Sequence, residues 1–336
     1  MEHVQKLVTG FEPDVALIWG LWNIPRSVPA LLENLMPGRV AYYICDYSLS
    51  LPSAYMQRWQ EPAKRKWLNP AKRLVSKLFL PSLEKDEVTP LELKHPICVS
   101  HAVKSLLVDS HISIEHARVI YGGTKISQFS ESRDFRSRRR EQNELKLLCV
   151  GRLDAEKGVH TAIRALPVVY RLLQGELLSN AITLDVIGNG NSVYLENLRC
   201  IVEQHQLRDK VNFLRSIARS EIPAFMAQYD ALIFPSEWPE PFARTVLEAM
   251  AAGLLVIGTT TGGTAELLID LKTGLTFPAG DSEALASQII RAYQSPEMRL
   301  QLANSGQEQV RKRFTFTSMV DHIQKVLHEI SYGEVL

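Results

Sequence analysis

The sequence contains few cysteines and no long apolar run, and these two absences exclude several classes of protein. Its 336 residues include four cysteines, which are dispersed without the paired spacing of a zinc site. Reduced thiols of this kind are typical of a cytoplasmic protein rather than of a disulfide-stabilised secreted domain. No apolar run approaches the roughly 18 residues that a membrane-spanning helix needs, and segment 1–6 lacks a signal-peptide pattern. We therefore expect a cytoplasmic protein.

The sequence also has almost no excess of charge of either sign. Its 38 Lys and Arg residues nearly balance 37 Asp and Glu residues, so the net charge is +1. Such a balance creates no long-range attraction to nucleic acid, and no RNA-binding motif is found. The Gly-x-Gly-x-x-Gly fingerprint of dinucleotide-binding proteins is missing too, because Gly188 and Gly190 follow a strand without the third glycine. The two glycines form either a tight turn or a ligand contact.

Short apolar runs alternate with helical segments in both halves of the chain, as is typical of parallel sheets covered by helices. The length suggests two domains at about 150 residues each. We predict an α/β fold of two Rossmann-like domains, of which the N-terminal one is incomplete. The predicted divisions are a partial N-terminal domain at 1–123, a basic linker at 124–144, a C-terminal domain at 145–315, and a helix at 316–336 that is able to cross back to the first domain. The linker is assigned from its arginines Arg133, Arg136, Arg138, Arg139 and Arg140.

The most informative stretch is residues 238–253, in which two glutamates separated by seven residues bracket the start of a predicted helix. Pro241 suits the first turn of a helix and Gly253 suits its exit, so we predict a helix from about Pro241 to Ala252. The apolar runs on both sides read as buried parallel strands. Because ligands of open α/β sheets bind beyond the carboxyl ends of the strands, this stretch is a candidate ligand site.

The start of this helix is a candidate phosphate site. The free amides of Phe242, Ala243 and Arg244 point out of the N-terminus, where the helix dipole also favours an anion. Glu240 lies before the helix and Glu248 about two turns inside it, so the two carboxylates do not face one metal ion together. They are better placed to reach different hydroxyl groups of an extended ligand.

Two cations follow the strand that ends near Gly151. Arg152 lies on the loop after this strand and Lys157 at the start of the next helix. Cations at a strand's carboxyl end are able to neutralise a leaving diphosphate.

Residues 240–253 and 151–158 together resemble glycosyltransferase family 4, whose members carry the glycosyl transferases group 1 domain on a GT-B fold. The resemblance extends from about Leu145 to Ala286. It implies metal-independent transfer of a sugar, with retention at the anomeric carbon, from a UDP- or GDP-sugar to a saccharide or lipid-linked acceptor, as in polysaccharide biosynthesis. No further cofactor is implied, and no Asp-x-Asp triplet for a metal-bound diphosphate occurs.

The resemblance also assigns roles to the residues singled out above. Glu240 would bind hydroxyls of the transferred sugar, and Glu248 would bind the ribose of the nucleotide. Arg152 and Lys157 would hold the diphosphate. The helix start and the Gly188–Gly190 turn complete the expected donor site.

The first half departs from the family pattern. Residues 13–19 resemble a strand that family members reach only after several earlier strands, so the chain is either a fragment with a late start or a protein with a reduced acceptor domain. Cys45 stands where many members have histidine, and Asp46 is a candidate for the acceptor side or simply a turn residue. These departures keep open a noncatalytic sugar-nucleotide binder or partner subunit as the alternative function. A nucleotide-dependent oxidoreductase has only the α/β alternation in its favour.

Residues 55–80 mix basic and large apolar side chains. The basic residues are Arg58, Lys64, Arg65, Lys66, Lys72, Arg73 and Lys77, and the apolar ones are Trp59, Trp67, Leu68, Leu74, Leu78 and Phe79. Such a segment either rests on an anionic membrane at the cytoplasmic face or packs on the domain as a solvated helix.

Overall fold

A computed structural model describes residues 1–52, 56, 59–61, 66–130, 144–173 and 181–333. The chain divides into two compact units, a smaller one of Met1–Tyr121 with Val320–Leu336 and a larger one of Gly122–Met319. The five linker arginines and Arg58, Lys64 and Arg65 of the basic segment lie outside the described residues.

Four parallel strands form the sheet of the smaller unit, in the order β1-β2-β3-β4. The strands are β1 (Ala16–Trp19), β2 (Val40–Ile44), β3 (His95–Cys98) and β4 (Arg118–Val119). The helices are α1 (Glu2–Phe11), α2 (Ser27–Leu35), α3 (Asn69–Glu87) and α4 (His101–Asp109), and a 3-10 turn at Lys66–Leu68 precedes α3. Strand β2 is buried along its whole length. Its tyrosines satisfy their hydroxyls inside this core, since Tyr42 donates to Glu33 Oε1 at 2.7 Å and Tyr43 donates to the carbonyl of Ile120 at 3.0 Å.

The larger unit contains a six-stranded parallel sheet in the order β10-β9-β8-β5-β6-β7. The strands are β5 (Leu145–Val150), β6 (Ile182–Ile187), β7 (Val211–Leu214), β8 (Ala231–Phe234), β9 (Leu255–Gly258) and β10 (Leu275–Thr276). The helices are α5 (Ser127–Ser130), α6 (Val159–Leu173), α7 (Ser192–Gln204), α8 (Ile222–Met226), α9 (Arg244–Ala251), α10 (Ser282–Gln294), α11 (Pro296–Arg313) and α12 (Phe316–Tyr332), with 3-10 turns at Ala155–Lys157 and Gly263–Glu266. Helix α12 continues into the residues of the smaller unit from Val320 onward. These elements confirm the predicted α/β class, and β8 and β9 are the strands predicted on the two sides of residues 238–253.

Helices cover the central strands of the larger sheet, which explains their continuous apolar sequences. Strands β8 and β9 are buried at every position. Leu147, Ile233 and Ile257 share one core cluster with apolar residues of α6, α7 and α10. Helices α9 and α11 pack against each other and against β9. No helix of the described residues is long and apolar enough to cross a bilayer.

The strand order reverses beside β5. The chain runs from β5 outward through β6 to β7 and then returns to β8 on the other side of β5. Because the connections after β5 and β8 leave in opposite directions, a crevice forms beyond their carboxyl ends, where ligands of such sheets bind. The loop that carries Arg152 and Lys157 and the loop that carries Glu240 both begin there.

Helix α9 begins three residues later than predicted. Its first residue is Arg244 rather than Pro241, and the preceding Ala243 has non-helical backbone angles. The chain at Glu240 is instead bridged to Gly262, and the Gly263 amide donates to the Glu240 carbonyl at 2.7 Å. This tertiary pairing fixes the chain at Glu240, and Pro241 and Phe242 form a bend before α9, although Pro241 alone favours a helix start.

Candidate functional site

A cavity of about 150 Å³ lies at the carboxyl ends of β5, β6 and β8 in the larger unit. It is lined by strand-end residues and by the loops that follow β5 and β8. The lining residues are Cys149, Val150, Gly151, Arg152, Leu153, Lys157, Val159, Val186, Ile187, Ile233, Phe234, Pro235, Ser236, Glu240, Ala243, Arg244 and Thr245. The structure thus brings five predicted site residues to one cavity, namely Arg152, Lys157, Glu240, Ala243 and Arg244.

Lys157 and Glu240 form the central ion pair of this cavity. Lys157 Nζ lies 2.8 Å from Glu240 Oε1, and the two side chains are only 18% and 14% exposed. The hydroxyl of Ser236 donates to the same oxygen at 2.7 Å. Since both donors use Oε1, the second carboxylate oxygen of Glu240 offers its lone pairs to a ligand hydroxyl.

The backbone around Glu240 is held by the loop that follows β9. The buried Ser236 accepts hydrogen bonds at its carbonyl from the hydroxyls of Thr259 at 2.6 Å and Thr261 at 3.3 Å. Gly262 then bridges to Glu240 itself. Sequence reasoning missed Ser236 and both threonines, because only the pairing of β8 with β9 brings them together.

Gly158 and Gly262 allow the loops to approach one another closely. Both have left-handed backbone angles, with φ of +65° and +56°. A Cβ on Gly158 would collide with the carbonyl oxygen of Pro235, and one on Gly262 would lie 2.5 Å from the carbonyl oxygen of Glu240. A larger residue at either position would separate the loops that position Lys157 and Glu240.

Arg152 lines the cavity but is largely exposed and engaged by acids of its own loop. Its guanidinium lies 3.1 Å from Asp154 Oδ2 and 3.1 Å from Glu156 Oε1. A bound anion would compete with these two carboxylates for Arg152. Glu156 also holds the loop after β8, because the backbone carbonyl of Glu156 accepts a hydrogen bond from the amide of Glu237 at 2.8 Å.

His160 lies beside this loop. Its Nδ1 is 2.9 Å from the Tyr194 hydroxyl, and its Nε2 is 3.3 Å from Glu237 Oε1. Burial lowers the pKa of the imidazole below its usual range, although Glu237 opposes the shift. The ring therefore acts mainly as a neutral hydrogen-bonding group that joins α6 to its neighbours.

Glu248 lies on α9 and is held between two arginines. Its Oε1 is 3.3 Å from Arg219 and 3.8 Å from Arg244. Burial raises the pKa of the Glu248 carboxyl above its usual range, although the two arginines oppose this shift. A second cavity of about 550 Å³ lies here, lined among others by Lys125, Arg219, Arg244 and Glu248. Arg244 lines both cavities, so one extended ligand is able to contact both.

The first turn of α9 presents a different set of amides from the predicted one. Since the helix begins at Arg244, the amides without an intrahelical acceptor are those of Arg244, Thr245 and Val246, and Ala243 gives no side-chain cap. Phe242 and Ala243 are buried instead, and the Phe242 ring packs edge-on against Phe314. The helix start stays the predicted position of the phosphate site.

Gly188 and Gly190 pack against the loop after β5. Leu153 is bridged to Gly190, and a Cβ on Gly188 would collide with the carbonyl oxygen of Gly151. The two glycines therefore allow their turn to approach the backbone of the loop after β5 closely. Direct contact of the glycines with a ligand stays a prediction.

Asp46 lies in the smaller unit, where its Oδ1 accepts the amide of Ser48 at 2.9 Å. This bond is the turn geometry that the sequence allowed as one alternative. Its acceptor-side role stays a prediction. Within the described ranges, no group of three or more His, Cys, Asp or Glu residues is arranged to hold a metal ion.

Comparisons with known proteins place these features in context. The family profile described as "Glycosyl transferases group 1" matches residues 130–309. A glycogen synthase of Mycobacterium tuberculosis is 29% identical over 200 residues, which cover 60% of this chain and 46% of that protein. A GDP-mannose-dependent alpha-(1-6)-phosphatidylinositol monomannoside mannosyltransferase of Mycolicibacterium smegmatis is 29% identical over 177 residues, covering 50% of this chain and 44% of that protein. The chain spans about half the length of these curated relatives.

Solved structures resemble the chain over nearly its whole length. Anabaena HepE in complex with UDP and glucose gives a TM-score of 0.70 at 23% identity, covering 97% of this chain and 80% of that one. Sucrose-phosphate synthase from Thermosynechococcus elongatus gives a TM-score of 0.69 at 21% identity, covering 99% of this chain and 79% of that one. At such identities the likeness shows the fold, and it confirms the predicted GT-B type.

We predict that Gly262→Ala destabilises the protein more than Gly280→Ala does. Both positions have positive φ, which strains alanine, and the ψ of −137° at Gly262 lies outside the left-handed helical region that other residues tolerate. Only at Gly262 does the new Cβ crowd the Glu240 backbone, whereas nothing lies within 4 Å at Gly280. Crowding should lower the free energy of unfolding by about a further 1–3 kcal/mol, measured by urea denaturation of both variants. Equal losses would show that the Glu240 loop does not need this close approach.

Proposed function

This chain belongs to the glycosyl transferases group 1 family, and we propose that it transfers a sugar from a nucleoside diphosphate donor to an acceptor hydroxyl. The observation that carries the proposal is the buried Lys157–Glu240 pair at the sheet's reversal point, beside the uncapped start of α9. HepE was solved with UDP-glucose, and the mycobacterial mannosyltransferase is named as GDP-mannose-dependent. A UDP- or GDP-sugar is therefore the donor that we propose.

The diphosphate of the donor binds at the start of α9. Its first-turn amides and the helix dipole favour an anion there, and the guanidinium of Arg244 adds a full positive charge. Lys157 and Arg152 approach the same cavity from the loop after β5. Charge builds up on the diphosphate as it leaves, so cations fixed in advance stabilise the transition state more than the ground state.

The two glutamates hold the ends of the donor. Glu240 receives a hydroxyl of the transferred sugar at its second oxygen, while Lys157 and Ser236 hold the first. Glu248 receives a ribose hydroxyl, and Arg219 with Arg244 keeps its carboxylate in position. This division places the sugar on the β5–β8 side of Arg244 and the nucleoside on the side of the larger cavity.

Transfer proceeds with retention and without a metal ion. The bond between the anomeric carbon and the phosphate oxygen breaks, the acceptor oxygen bonds to the same face of the carbon, and the acceptor proton passes to the departing phosphate oxygen. A double displacement would need a carboxylate nucleophile close to a second carboxyl group. Glu240 is instead occupied by a cation and a hydroxyl, which suits binding of the sugar. Lys157, Arg152 and Arg244 supply the positive charge that a metal would otherwise provide.

We predict that Lys157→Gln weakens binding of the donor at least tenfold, whereas Lys312→Gln leaves it unchanged. Loss of a charged hydrogen bond costs about 1.5–3 kcal/mol, and 1.4 kcal/mol corresponds to tenfold. Lys312 is an exposed lysine of α11, paired with Glu308, and lines neither of the two cavities. Thermal shifts with UDP, GDP, UDP-glucose and GDP-mannose measure the effect, since a ligand at 100 times its Kd stabilises by about 2.7 kcal/mol. Equal shifts in both variants would remove Lys157 from the phosphate site.

The same samples separate a transferase from a noncatalytic binder. Sugar release and transfer are followed by NMR with a broad set of acceptors, and the anomeric configuration of the product reports retention or inversion. Donor binding without turnover for every acceptor would favour the noncatalytic or partner-dependent alternative. Inhibition by a chelator would contradict metal independence.

We also propose that the protein works in the cytoplasm and rests on a membrane through the apolar face that includes Trp67 and the start of α3. The large side chains of Trp67, Leu74, Leu78 and Phe79 are 73%, 69%, 76% and 52% exposed. Their exposure favours a membrane over the alternative in which this segment packs on the domain. The basic side chains of Arg73 and Lys77 are exposed next to them and suit anionic headgroups. A lipid-linked acceptor would fit this location.

We predict that Leu78→Asp reduces recovery of the protein with vesicles of phosphatidylserine and phosphatidylcholine. The substitution places a charge on the apolar face and repels anionic lipid. Leu172→Asp is the matched control, because Leu172 is an exposed leucine of α6 in the larger unit. Flotation of the unmodified chain and both variants measures the effect. If the unmodified chain does not float with the vesicles, the membrane proposal is wrong.

A further inference from the structure

A separate cavity of about 300 Å³ lies in the smaller unit, at the amino ends of β3 and β4. It is bordered by the start of β3, by the segment that leads into β4 and by the last turns of α12. Ligands of open α/β sheets usually bind at the carboxyl ends of the strands, so this cavity lies at the opposite edge of its sheet. None of the residues proposed for sugar transfer lines it.

Basic side chains form most of the polar part of this cavity. They are Lys94, His95, His116 and Arg118, and Glu329 is the one carboxylate among the lining residues. Glu329 is only 13% exposed and is already paired with Arg118. Lys94 has no ion-pair partner in the part of the chain that the structure describes. Positive charge therefore exceeds negative charge here even when both histidines are neutral.

Each histidine uses one ring nitrogen to bind the backbone. His95 Nε2 lies 3.0 Å from the Gly38 carbonyl oxygen, and His116 Nε2 lies 3.2 Å from the Leu93 carbonyl oxygen. Because a carbonyl oxygen only accepts, each Nε2 carries a hydrogen, and the neutral ring has its lone pair on Nδ1. Neither Nδ1 has a hydrogen-bond partner among the described residues. A proton added to Nδ1 would turn it into a donor for an anion.

The pKa of His95 reflects the excess of positive charge in this cavity. Burial is the main cause that lowers this pKa below its usual range, and the hydrogen bond to the backbone opposes the shift. The positive charges of Lys94, Arg118 and His116 lower the pKa further. An anion among these groups would relieve their mutual repulsion and favour the protonated imidazole.

The rest of the lining is apolar. Pro96, Ile97 and Val326 are buried, and Ile330 is half-buried. The volume lies at the lower end of the roughly 300–1,000 Å³ of small-ligand sites. The cavity therefore suits a small molecule that carries both an anionic and an apolar group.

We propose that this cavity binds a phosphate monoester of a small apolar group, and that His95 and His116 take up protons when it binds. A phosphate monoester offers three acceptor oxygens and a high negative charge, which match Lys94 and the two Nδ1–H groups. Arg118 adds positive charge beside them. The apolar residues contact the ester group. This proposal does not rest on the transferase function, because different residues carry it.

Proton uptake makes the affinity depend on pH. The bound anion raises the pKa of both histidines, so its additional binding free energy is fully present below the pKa values of the free protein. This contribution is lost as the pH rises through the higher pKa values of the complex.

The test is an NMR titration of the histidine ring signals of the full chain with sulfate and with phenyl phosphate. Sulfate keeps its charge between about pH 6 and about pH 8, so a change in its affinity reports on the protein. We expect sulfate to bind at least about tenfold more weakly at the higher pH. At the lower pH, phenyl phosphate should bind more tightly than inorganic phosphate, because only the ester has an apolar group.

Two variants assign the binding to this cavity. Lys94→Gln should weaken binding of phenyl phosphate about fivefold, as expected for loss of an exposed ion pair. His116→Gln should reduce the pH dependence of sulfate binding. Lys85→Gln and His3→Gln are the matched controls, since both residues are exposed in the same unit and do not line the cavity. Thermal midpoints without anion show whether each variant folds.

Three outcomes overturn the proposal. Neither anion binds, or Lys94→Gln and His116→Gln bind both anions as their controls do, or the affinity for sulfate is equal at both pH values. Vesicles that contain phosphatidic acid distinguish the two sources of a phosphate monoester. Displacement of phenyl phosphate by the vesicles supports the site with a lipid headgroup as its ligand, and retention supports it with a free small molecule.

Discussion

The ion pair between Lys157 and Glu240 is the interaction on which the candidate site depends. It joins the loop after β5 to the loop after β8 at the place where the strand order reverses. Both groups are largely buried, so removal of either partner would leave an uncompensated charge in a poorly solvated place. Ser236, with the threonines that hold its carbonyl, fixes the orientation of the carboxylate. The site is thus organised by contacts within the protein itself.

Sequence identified the residues that line this cavity better than it predicted the contacts that hold them. Glu240 and Lys157 were found from local motifs, because the loops after parallel strands place such residues at one edge of the sheet. Ser236 and Thr259 lie in adjacent strand ends and meet only through the β8–β9 register, which no local pattern encodes. The start of α9 was predicted too early for a related reason, since pairing with Gly262 overrides the helix preference of Pro241.

In the smaller unit, hydrophobic periodicity alone does not decide whether the apolar face of a helix is buried or exposed. A helix with basic and apolar residues has the same sequence pattern whether its apolar face packs inside a domain or faces solvent. Only the exposure of Leu74 and Leu78 distinguishes the two cases. His95 and His116 likewise carry no joint sequence signal, because only the pairing of β3 with β4 brings them to one cavity. In both places the informative observation is the surroundings of a side chain, which the fold alone supplies.

The most direct test of the account is a crystal structure of the chain bound to UDP-glucose or GDP-mannose. We expect diphosphate oxygens within hydrogen-bonding distance of Lys157 Nζ and of the first amides of α9. We also expect a sugar hydroxyl on Glu240 and a ribose hydroxyl on Glu248. A donor bound elsewhere, with the diphosphate away from α9 and the Lys157–Glu240 pair untouched by ligand, would contradict it.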